Sequence, residues 1–342
     1  MYLLVGNPSA QSGRNLERIE RAKAQFYLHG LSQDFLPTLP GGRTAGAVAA
    51  AIRSGNYKAV VAMGGDGTFK EVATGLIQSG VSIPMGMLPT GTANDQGRSF
   101  GLSADADAMD HNIAVIAANY QGPLDAGRIT ARDESGNIIG TDWFFDSAGW
   151  GFSPWVLKLR NSDRELVGML PLVREVYRDQ LVYAGAAVQA FLRTYVEERK
   201  FEAAVTLADG TEHLFTNLTD IIVKNTKYYA GAWVFDPTSS PEDGQMELVP
   251  LSGRTEWLRR AVANVELPIP LPTEEVNEVA DFVGMKLSPG PVYRSSSFQI
   301  RLHERAGSPG VDAQLDGEEW VRGWTFDVAV QRHAIRLIIP AP

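Results

Sequence analysis

The stretch Lys58–Ser79 reads KAVVAM-GGDGT-FKEVATGLIQS, and it decides the fold class. Its first part, Lys58–Met63, is a continuous apolar run, which is typical of a parallel strand buried on both faces. From Thr68 to Ser79 apolar residues recur at the spacing of one helical face, which predicts a helix. The glycine-rich residues between them complete a predicted strand–loop–helix unit.

The same alternation continues on both sides of this unit. Tyr2–Gly6 and Val81–Leu88 are further predicted strands, and Asn15–Leu28 and Thr44–Arg53 are predicted helices. Strands that alternate with helices indicate a parallel α/β sheet. After Asp125 short strands dominate, among them Glu202–Leu207, Asp220–Val223, Met246–Leu251, Phe298–His303 and Thr325–Ile339.

This change of pattern predicts two domains. The first, residues 1–125, is an α/β domain with a parallel sheet, and the second, residues 126–342, is a β-rich, antiparallel, sandwich-like domain. Pairs such as Asp209-Gly210, Asp243-Gly244 and Asp316-Gly317 are typical of the turns that separate antiparallel strands.

The composition narrows the function classes. The 342 residues are 44% hydrophobic and 21% charged and include no Cys, which excludes thiol catalysis, disulfides and Cys-based zinc sites. The net charge of −9 argues against non-specific binding to nucleic acid, so no nucleic-acid partner is expected. The start of the chain lacks the pattern of a signal peptide and no segment reads as a membrane span, so a cytoplasmic location is expected.

The loop Gly64–Thr68 carries the chemistry of phosphate binding. Glycines let backbone N–H groups come close to a ligand, and the first turn of the following helix attracts anions. Asp66 fits such a place if a Mg²⁺ ion mediates its contact with phosphate. Thr68 and Glu71 fit a capping box that would start the helix at Thr68. The alternative is a glycine-rich turn without a ligand.

Two more loops follow predicted strands. Asn7–Arg14 follows the first strand, and Pro89–Asp95 (PTGTAND) follows the strand after the GGDGT loop. In open α/β sheets ligands bind at the carboxyl ends of the strands, so both loops are candidates for holding nucleotide. Viewed singly, each is also an ordinary turn.

Together the three loops resemble the lipid kinase family that contains the bacterial diacylglycerol kinases, the sphingosine kinases and ceramide kinase. The segments that carry the resemblance are Asn7–Arg14 (family NPxSG), Gly64–Thr68 (GGDGT), Gly91–Asp95 (GTxND), Phe145–Phe152, Asp236–Met246 (P-x(n)-DGxL) and Leu315–Glu318 (LDGE). The resemblance covers nearly the whole chain. It implies an NAD kinase- and phosphofructokinase-like first domain, with ATP and Mg²⁺ as cofactors.

The resemblance also implies a role for individual residues. Asp316 would be the general base for a lipid hydroxyl, with Glu318 assisting or orienting it. Asp66 would hold the catalytic Mg²⁺, Asp125 would join the same metal network, and Asp243 would bind a separate structural Mg²⁺. The implied nucleotide-binding residues are Asn7, Pro8, Ser9, Arg14, Thr38, Gly64, Gly65, Asp66, Gly67, Thr68, Gly91, Thr92, Asn94 and Asp95. Because the first loop is longer than NPxSG, either Ser9 or Ser12 could correspond to the serine of that motif.

The sequence leaves several alternatives open. A NAD kinase or sugar-phosphate kinase would share the GGDGT loop, and a non-catalytic nucleotide or lipid sensor would share the fold. The acceptor could be diacylglycerol, monoacylglycerol, a sphingoid base, ceramide or phosphatidylglycerol. The apolar stripe in Leu166–Val196 is explained by core packing or by an acyl-chain pocket. A lipid substrate implies transient contact with a membrane surface, and a homodimer agrees with the family resemblance.

Overall fold

The computed structural model divides into two compact units. The first comprises 1–126, 241–244 and 331–342, and the second comprises 127–240 and 245–330. The described residues are 1–8, 14–91, 94–105, 107–154, 157, 200–229, 233–253, 256, 290–304 and 310–342. The predicted apolar stripe in Leu166–Val196 lies outside them.

The first unit contains a parallel sheet with helices. Its elements are β1 (Tyr2–Gly6), α1 (Arg14–Leu28), β2 (Gln33–Pro37), α2 (Thr44–Ser54), β3 (Ala59–Gly64), α3 (Asp66–Ser79), β4 (Met85–Pro89), α4 (Asp95–Ser99) and α5 (Ala108–Ala118). The strands run in the order β2-β1-β3-β4, and all three pairings are parallel. The side chains of β1 and β4 are all buried, which explains why these strands are apolar without alternation.

The second unit is built from antiparallel strands. The first is β5 (Gln121–Arg132), which starts in the first unit, and the last is β18 (Thr325–Ile338), which ends in the first unit. Between them lie β6 (Ile138–Phe144), β7 (Ser147–Gly151), β8 (Phe201–Leu207), β9 (Glu212–Leu218), β10 (Asp220–Lys224), β11 (Tyr228–Tyr229), β12 (Trp233–Val234), β13 (Met246–Leu251), β14 (Tyr293–Ser295), β15 (Ser297–Glu304), β16 (Val311–Leu315) and β17 (Glu318–Gly323).

Six of these strands form a sheet in the order β14-β13-β10-β7-β16-β17. A second antiparallel set places β15 between β18 and β8, with β9 beside β8. One face of each set contributes to a common core, in which Trp150 from β7 packs against Phe326 from β18 at a ring-centroid distance of 5.1 Å. The predicted fold class, a parallel α/β domain followed by a β-rich antiparallel domain, is confirmed.

Two predicted elements begin two or more residues away from the predicted position. The strand predicted over Val81–Leu88 begins only at Met85, because Pro84 just before it has no N–H to donate to a neighbouring strand. The helix predicted to start at Thr68 starts at Asp66, and extended Gly65 occupies its N-cap position without a side-chain capping bond. Thr68 therefore lies inside the first turn, and the capping-box prediction is wrong.

Candidate active site

The glycine-rich loop turns from β3 directly into α3. Gly64 is the last residue of β3, and Asp66 is the first residue of α3. A side chain at Gly64 would place its Cβ atom 2.4 Å from Oγ1 of Thr68, so the tight turn requires glycine there. The first N–H groups of a helix have no partner within the helix, and this turn presents them beside the half-buried Asp66.

The loop after β4 touches this turn. The N–H of Thr90 donates to the carbonyl of Gly64 at 2.9 Å. A Cβ atom on Gly91 would lie 2.4 Å from the Cα atom of Gly65, closer than real atoms come. The two glycine-containing loops therefore meet backbone to backbone, with no side chain of either glycine between them.

Asn94 shapes the second loop, and Asp66 connects to it. Asn94 has a φ of 53°, its Oδ1 accepts the N–H of Gly91 at 2.8 Å, and its Nδ2 donates to the Gly91 carbonyl at 2.8 Å. The N–H of Gln96 donates to Oδ1 of Asp66 at 3.1 Å. Asp95 is buried at the start of α4. Asp66 is thus held between the starts of α3 and α4.

The ends of β1 and β2 bring in two more predicted residues. The N–H of Thr38 donates to the carbonyl of Gly6 at 3.0 Å, and Nδ2 of Asn15 donates to the carbonyl of Asn7 at 2.5 Å. The register pairs Gly6 with Pro37 and with Met63, so these strand ends lie at the same edge as the GGDGT loop. Pro8 follows Asn7 at this edge and is half-buried.

Three predicted nucleotide-binding residues, Ser9, Arg14 and Thr92, lie wholly or partly outside the described part of the chain. Ser9, its alternative Ser12 and Thr92 lie outside the described residues, and of Arg14 only the backbone, which begins α1, is described. Gly67 lies in the first turn of α3 beside Thr68.

Asp125 is fully buried in the first unit and joins three distant parts of the chain. Its Oδ2 accepts the N–H of Gly244 at 2.7 Å, and its Oδ1 accepts the N–H of His333 at 2.7 Å. Its own N–H donates to the carbonyl of Pro241 at 2.7 Å. Asp243, in the same short segment, is exposed. In this arrangement the Asp125 carboxylate acts as an internal clamp.

Asp316 lies in the second unit, at the tip of the hairpin between β16 and β17. Asp316 and Gly317 have φ values of 52° and 78°, the left-handed pair that a two-residue hairpin turn requires. Leu315 pairs with Glu318 across this turn, and the side chain of Glu318 is exposed.

Asp316 is only 5% exposed although it sits at a hairpin tip. Its Oδ1 accepts the N–H groups of Asp146 at 2.7 Å and of Ser147 at 3.0 Å. The N–H of Phe145 donates to both carboxylate oxygens, at 3.1 Å to Oδ1 and 2.9 Å to Oδ2. Three consecutive backbone donors thus hold the carboxylate in one orientation.

Comparisons with known proteins agree with the geometry of the first unit. Residues 1–129 match the diacylglycerol kinase catalytic domain. This match covers the first 129 of the 342 residues. The matched segment contains the GGDGT and GTxND loops and ends just after Asp125.

Individual proteins similar to this chain carry kinase names. The diacylglycerol kinase of Mycobacterium tuberculosis (strain ATCC 25618 / H37Rv) is 30% identical over 214 residues, which are 62% of this chain and 61% of the relative. A protein of Klebsiella pneumoniae (strain 342), named "Probable lipid kinase YegS-like", is 40% identical over 84 residues, 24% of this chain and 26% of the relative. The chain thus spans less than two thirds of either relative.

The fold extends beyond the matched domain. A crystal structure of a diacylglycerol kinase from Bacillus anthracis (strain Sterne) aligns over 99% of this chain and 96% of its own, with a TM-score of 0.65 and 18% identity. At this identity the likeness concerns the fold alone.

The first unit offers one carboxylate that fits a Mg²⁺ ion of the kind found at phosphate-transfer sites. Among the described residues there is no cluster of three or more His, Asp or Glu side chains that could hold a metal ion. Mg²⁺ in phosphate-transfer sites is usually bound by one or two carboxylates together with substrate phosphates. Half-buried Asp66, at the edge of the GGDGT loop, fits this requirement. Asp125, whose two oxygens each accept a backbone N–H, fits it less well.

Sequence reasoning missed the residues that hold Asp316. The backbone donors belong to Phe145–Ser147, whose N–H groups carry no sequence signal. A weaker signal exists at Lys224, because a charged residue directly follows the apolar run Ile221–Val223. Such a lysine in a central strand indicates a buried partner.

Proposed function

We propose that the chain is an ATP- and Mg²⁺-dependent lipid kinase that transfers the γ-phosphate of ATP to the hydroxyl of diacylglycerol or a related lipid. The observation that carries this proposal is the backbone contact of Gly65 with Gly91 beside Asp66, within residues that match the diacylglycerol kinase catalytic domain. The kinase names of the relatives support the same activity.

The first unit supplies the nucleotide side of the reaction. Backbone N–H groups at the start of α3 suit the phosphates, and Gly65 and Gly91 let the chain approach them closely. Asn7, Thr38 and Asn94, at the same edge of the sheet, are the proposed further contacts. Asp66 would hold Mg²⁺, which neutralises phosphate charge when it is bound. Asp125 and Asp243 stay predictions for the metal network and for the structural Mg²⁺.

The second unit supplies the proposed base. The lipid oxygen forms a bond to the γ-phosphorus while the bond from that phosphorus to the β–γ bridging oxygen breaks, and ADP leaves. The hydroxyl proton passes to the Asp316 carboxylate and from there to solvent. The backbone donors of Phe145–Ser147 keep the carboxylate oriented for this transfer, and Glu318 is the proposed assisting residue.

The remaining parts of the proposal concern where the chain acts. None of the helices in the described ranges is long and apolar enough to span a bilayer. A cytoplasmic location, transient contact with the membrane surface that holds the lipid, and assembly as a homodimer complete the proposed picture.

The experiment that tests the activity uses purified protein, Mg²⁺ and ATP labelled in the γ-phosphate. The acceptors are diacylglycerol, monoacylglycerol, sphingosine, ceramide and phosphatidylglycerol in mixed micelles, with NAD as a separate acceptor. We expect label in one of the lipids and no label in NAD. A parallel reaction with EDTA should remove the labelled lipid, because Mg²⁺ is required.

Two results would contradict the proposal. Label in NAD and in no lipid would assign the chain to the NAD kinases, which share the GGDGT loop. ATP binding without transfer to any acceptor would favour a non-catalytic sensor.

A further inference from the structure

The backbone that holds Asp316 is itself held by the residues that follow β10. The N–H of Asn225 donates to the carbonyl of Asp146 at 2.8 Å, and Nδ2 of Asn225 donates to the carbonyl of Phe145 at 2.8 Å. Asn225 thus holds the carbonyls of the two peptide units whose N–H groups, those of Asp146 and Ser147, donate to Asp316. It is fully buried.

A buried ion pair holds the same segment through the side chain of Asp146. Nζ of Lys224 lies 2.6 Å from Oδ1 of Asp146, and the two side chains are only 3% and 5% exposed. The hydroxyl of Thr226 donates to the same oxygen, and the hydroxyl of Ser147 donates to Oδ2 of Asp146 at 3.1 Å. Lys224 also donates to the carbonyl of Tyr228.

Stability alone gives a poor reason for this ion pair. Removing two charges from water costs more than their attraction commonly returns, and apolar replacements of buried pairs are often neutral or stabilising. The three residues before Lys224 in β10, Ile221–Val223, are apolar and fully buried, and Lys224 ends the strand as a buried charge. What the pair does provide is a fixed position for Asp146, whose N–H makes the shortest bond to Asp316, at 2.7 Å.

We propose that Asp146, Lys224 and Asn225 are positioning residues for the Asp316 carboxylate. They lock the segment Phe145–Ser147 so that its three N–H groups point at that carboxylate and keep it in the orientation needed to accept a proton. The inference rests on the proposed function, in which Asp316 is the base.

The test separates positioning from stability with a double-mutant cycle. Lys224→Met and Asp146→Asn alone each leave one buried charge without its partner, so both should lower the melting temperature strongly. The double variant removes both charges, and its melting temperature should return close to that of the wild type. Its kcat should nevertheless stay at least about tenfold below wild type with an unchanged KM for ATP, because a displaced base slows only the chemical step.

Two controls accompany the cycle. Arg132 and Asp327 form an ion pair at 3.1 Å in the same unit, with side chains 36% and 37% exposed, and Arg132→Gln with Asp327→Asn should leave kcat unchanged. Asp316→Asn reports on the proposed function itself. If Asp316→Asn is inactive and the Asp146/Lys224 double variant has a kcat within about twofold of wild type, the positioning inference fails while the kinase proposal stands.

If instead Asp316→Asn is as active as the wild type, the assignment of Asp316 as the base has failed, and if no acceptor is phosphorylated, the kinase proposal has failed. In either case amide hydrogen exchange decides the positioning. The amides of Phe145, Asp146 and Ser147 should exchange at least about tenfold faster in the double variant, with those of β8 unchanged. Equal protection of the three amides in both proteins would overturn the inference.

Discussion

Asp316 combines a turn position with a buried carboxylate, and these two features come from different parts of the sequence. The Asp-Gly pair with positive φ at both residues makes the hairpin turn, which local sequence predicts. The contacts of the carboxylate with Phe145–Ser147 join residues about 170 positions apart along the chain. The turn could therefore be predicted from the residues, whereas the orientation of the side chain depends on the whole second unit.

Gly91 is the residue at which the contact between the GGDGT loop and the loop after β4 is tested most simply. In Gly91→Ala the new Cβ atom would lie 2.4 Å from Cα and 3.0 Å from the backbone N of Gly65, so the loops must move apart. We expect ATP to bind at least about tenfold more weakly, a loss of about 1.4 kcal/mol. Isothermal titration calorimetry measures the affinity for ATP. Gly46→Ala, where a Cβ atom meets nothing within 4 Å, should bind ATP normally, and equal affinity of both variants would contradict the loop contact.

Among the secondary-structure elements, the strands that are buried on both faces were predicted best. β1 matches its predicted range, and β3 differs by one residue at each end, because an apolar run between glycines has few other interpretations. Errors arose where a single residue decides the boundary. Because of Pro84, β4 begins only at Met85, and Gly65 allows α3 to begin at Asp66 without a side-chain cap.

Helix α3 packs closely on α2 through Gly75. A Cβ atom there would lie 2.6 Å from the carbonyl oxygen of Ala45 and 2.8 Å from Cβ of Val48. Gly75→Ala should therefore lower the free energy of unfolding by about 1–3 kcal/mol, despite the better helix propensity of alanine. Gly46→Ala, in the open part of α2, should instead be neutral or stabilising by up to about 1 kcal/mol. Urea denaturation compares the two, and equal effects would show that the helices do not pack this closely.

On the scale of the whole molecule, the chain returns twice to its first unit. Residues 241–244 and 331–342 belong there, and Asp125 contacts both segments through Gly244 and His333. The predicted division at residue 125 contains no sign of this, because periodicity and composition report neighbours along the chain. The contacts of a buried aspartate with distant backbone groups leave no periodic pattern.

The pH dependence of stability is another whole-molecule property, and buried Asp220 should affect it. Burial raises the pKa of Asp220 well above its ordinary value, although hydrogen bonds from the hydroxyl and N–H of Ser153 oppose the shift. The folded state keeps a proton that the unfolded chain releases above about pH 4, so stability falls as the pH rises toward the folded pKa.

Asp220→Asn imitates the protonated side chain at every pH. The melting temperature of this variant should exceed that of the wild type by a margin that grows from about pH 4 toward neutral pH. Asp209→Asn gives the opposite sign as a control, because hydrogen bonds from Thr211 lower the pKa of exposed Asp209. Parallel pH profiles of Asp220→Asn and the wild type would contradict the assignment.

The most direct test of the account compares the wild type with Asp316→Asn in Mg²⁺, ATP and the accepted lipid. Asparagine suits the left-handed turn position as well as aspartate does, so the hairpin should persist. We expect kcat to fall by about 10²–10⁴-fold while the thermal shift induced by ATP is unchanged, because the proposed base is lost and the proposed nucleotide-binding loops are intact. A turnover equal to wild type in a correctly folded Asp316→Asn protein would contradict it.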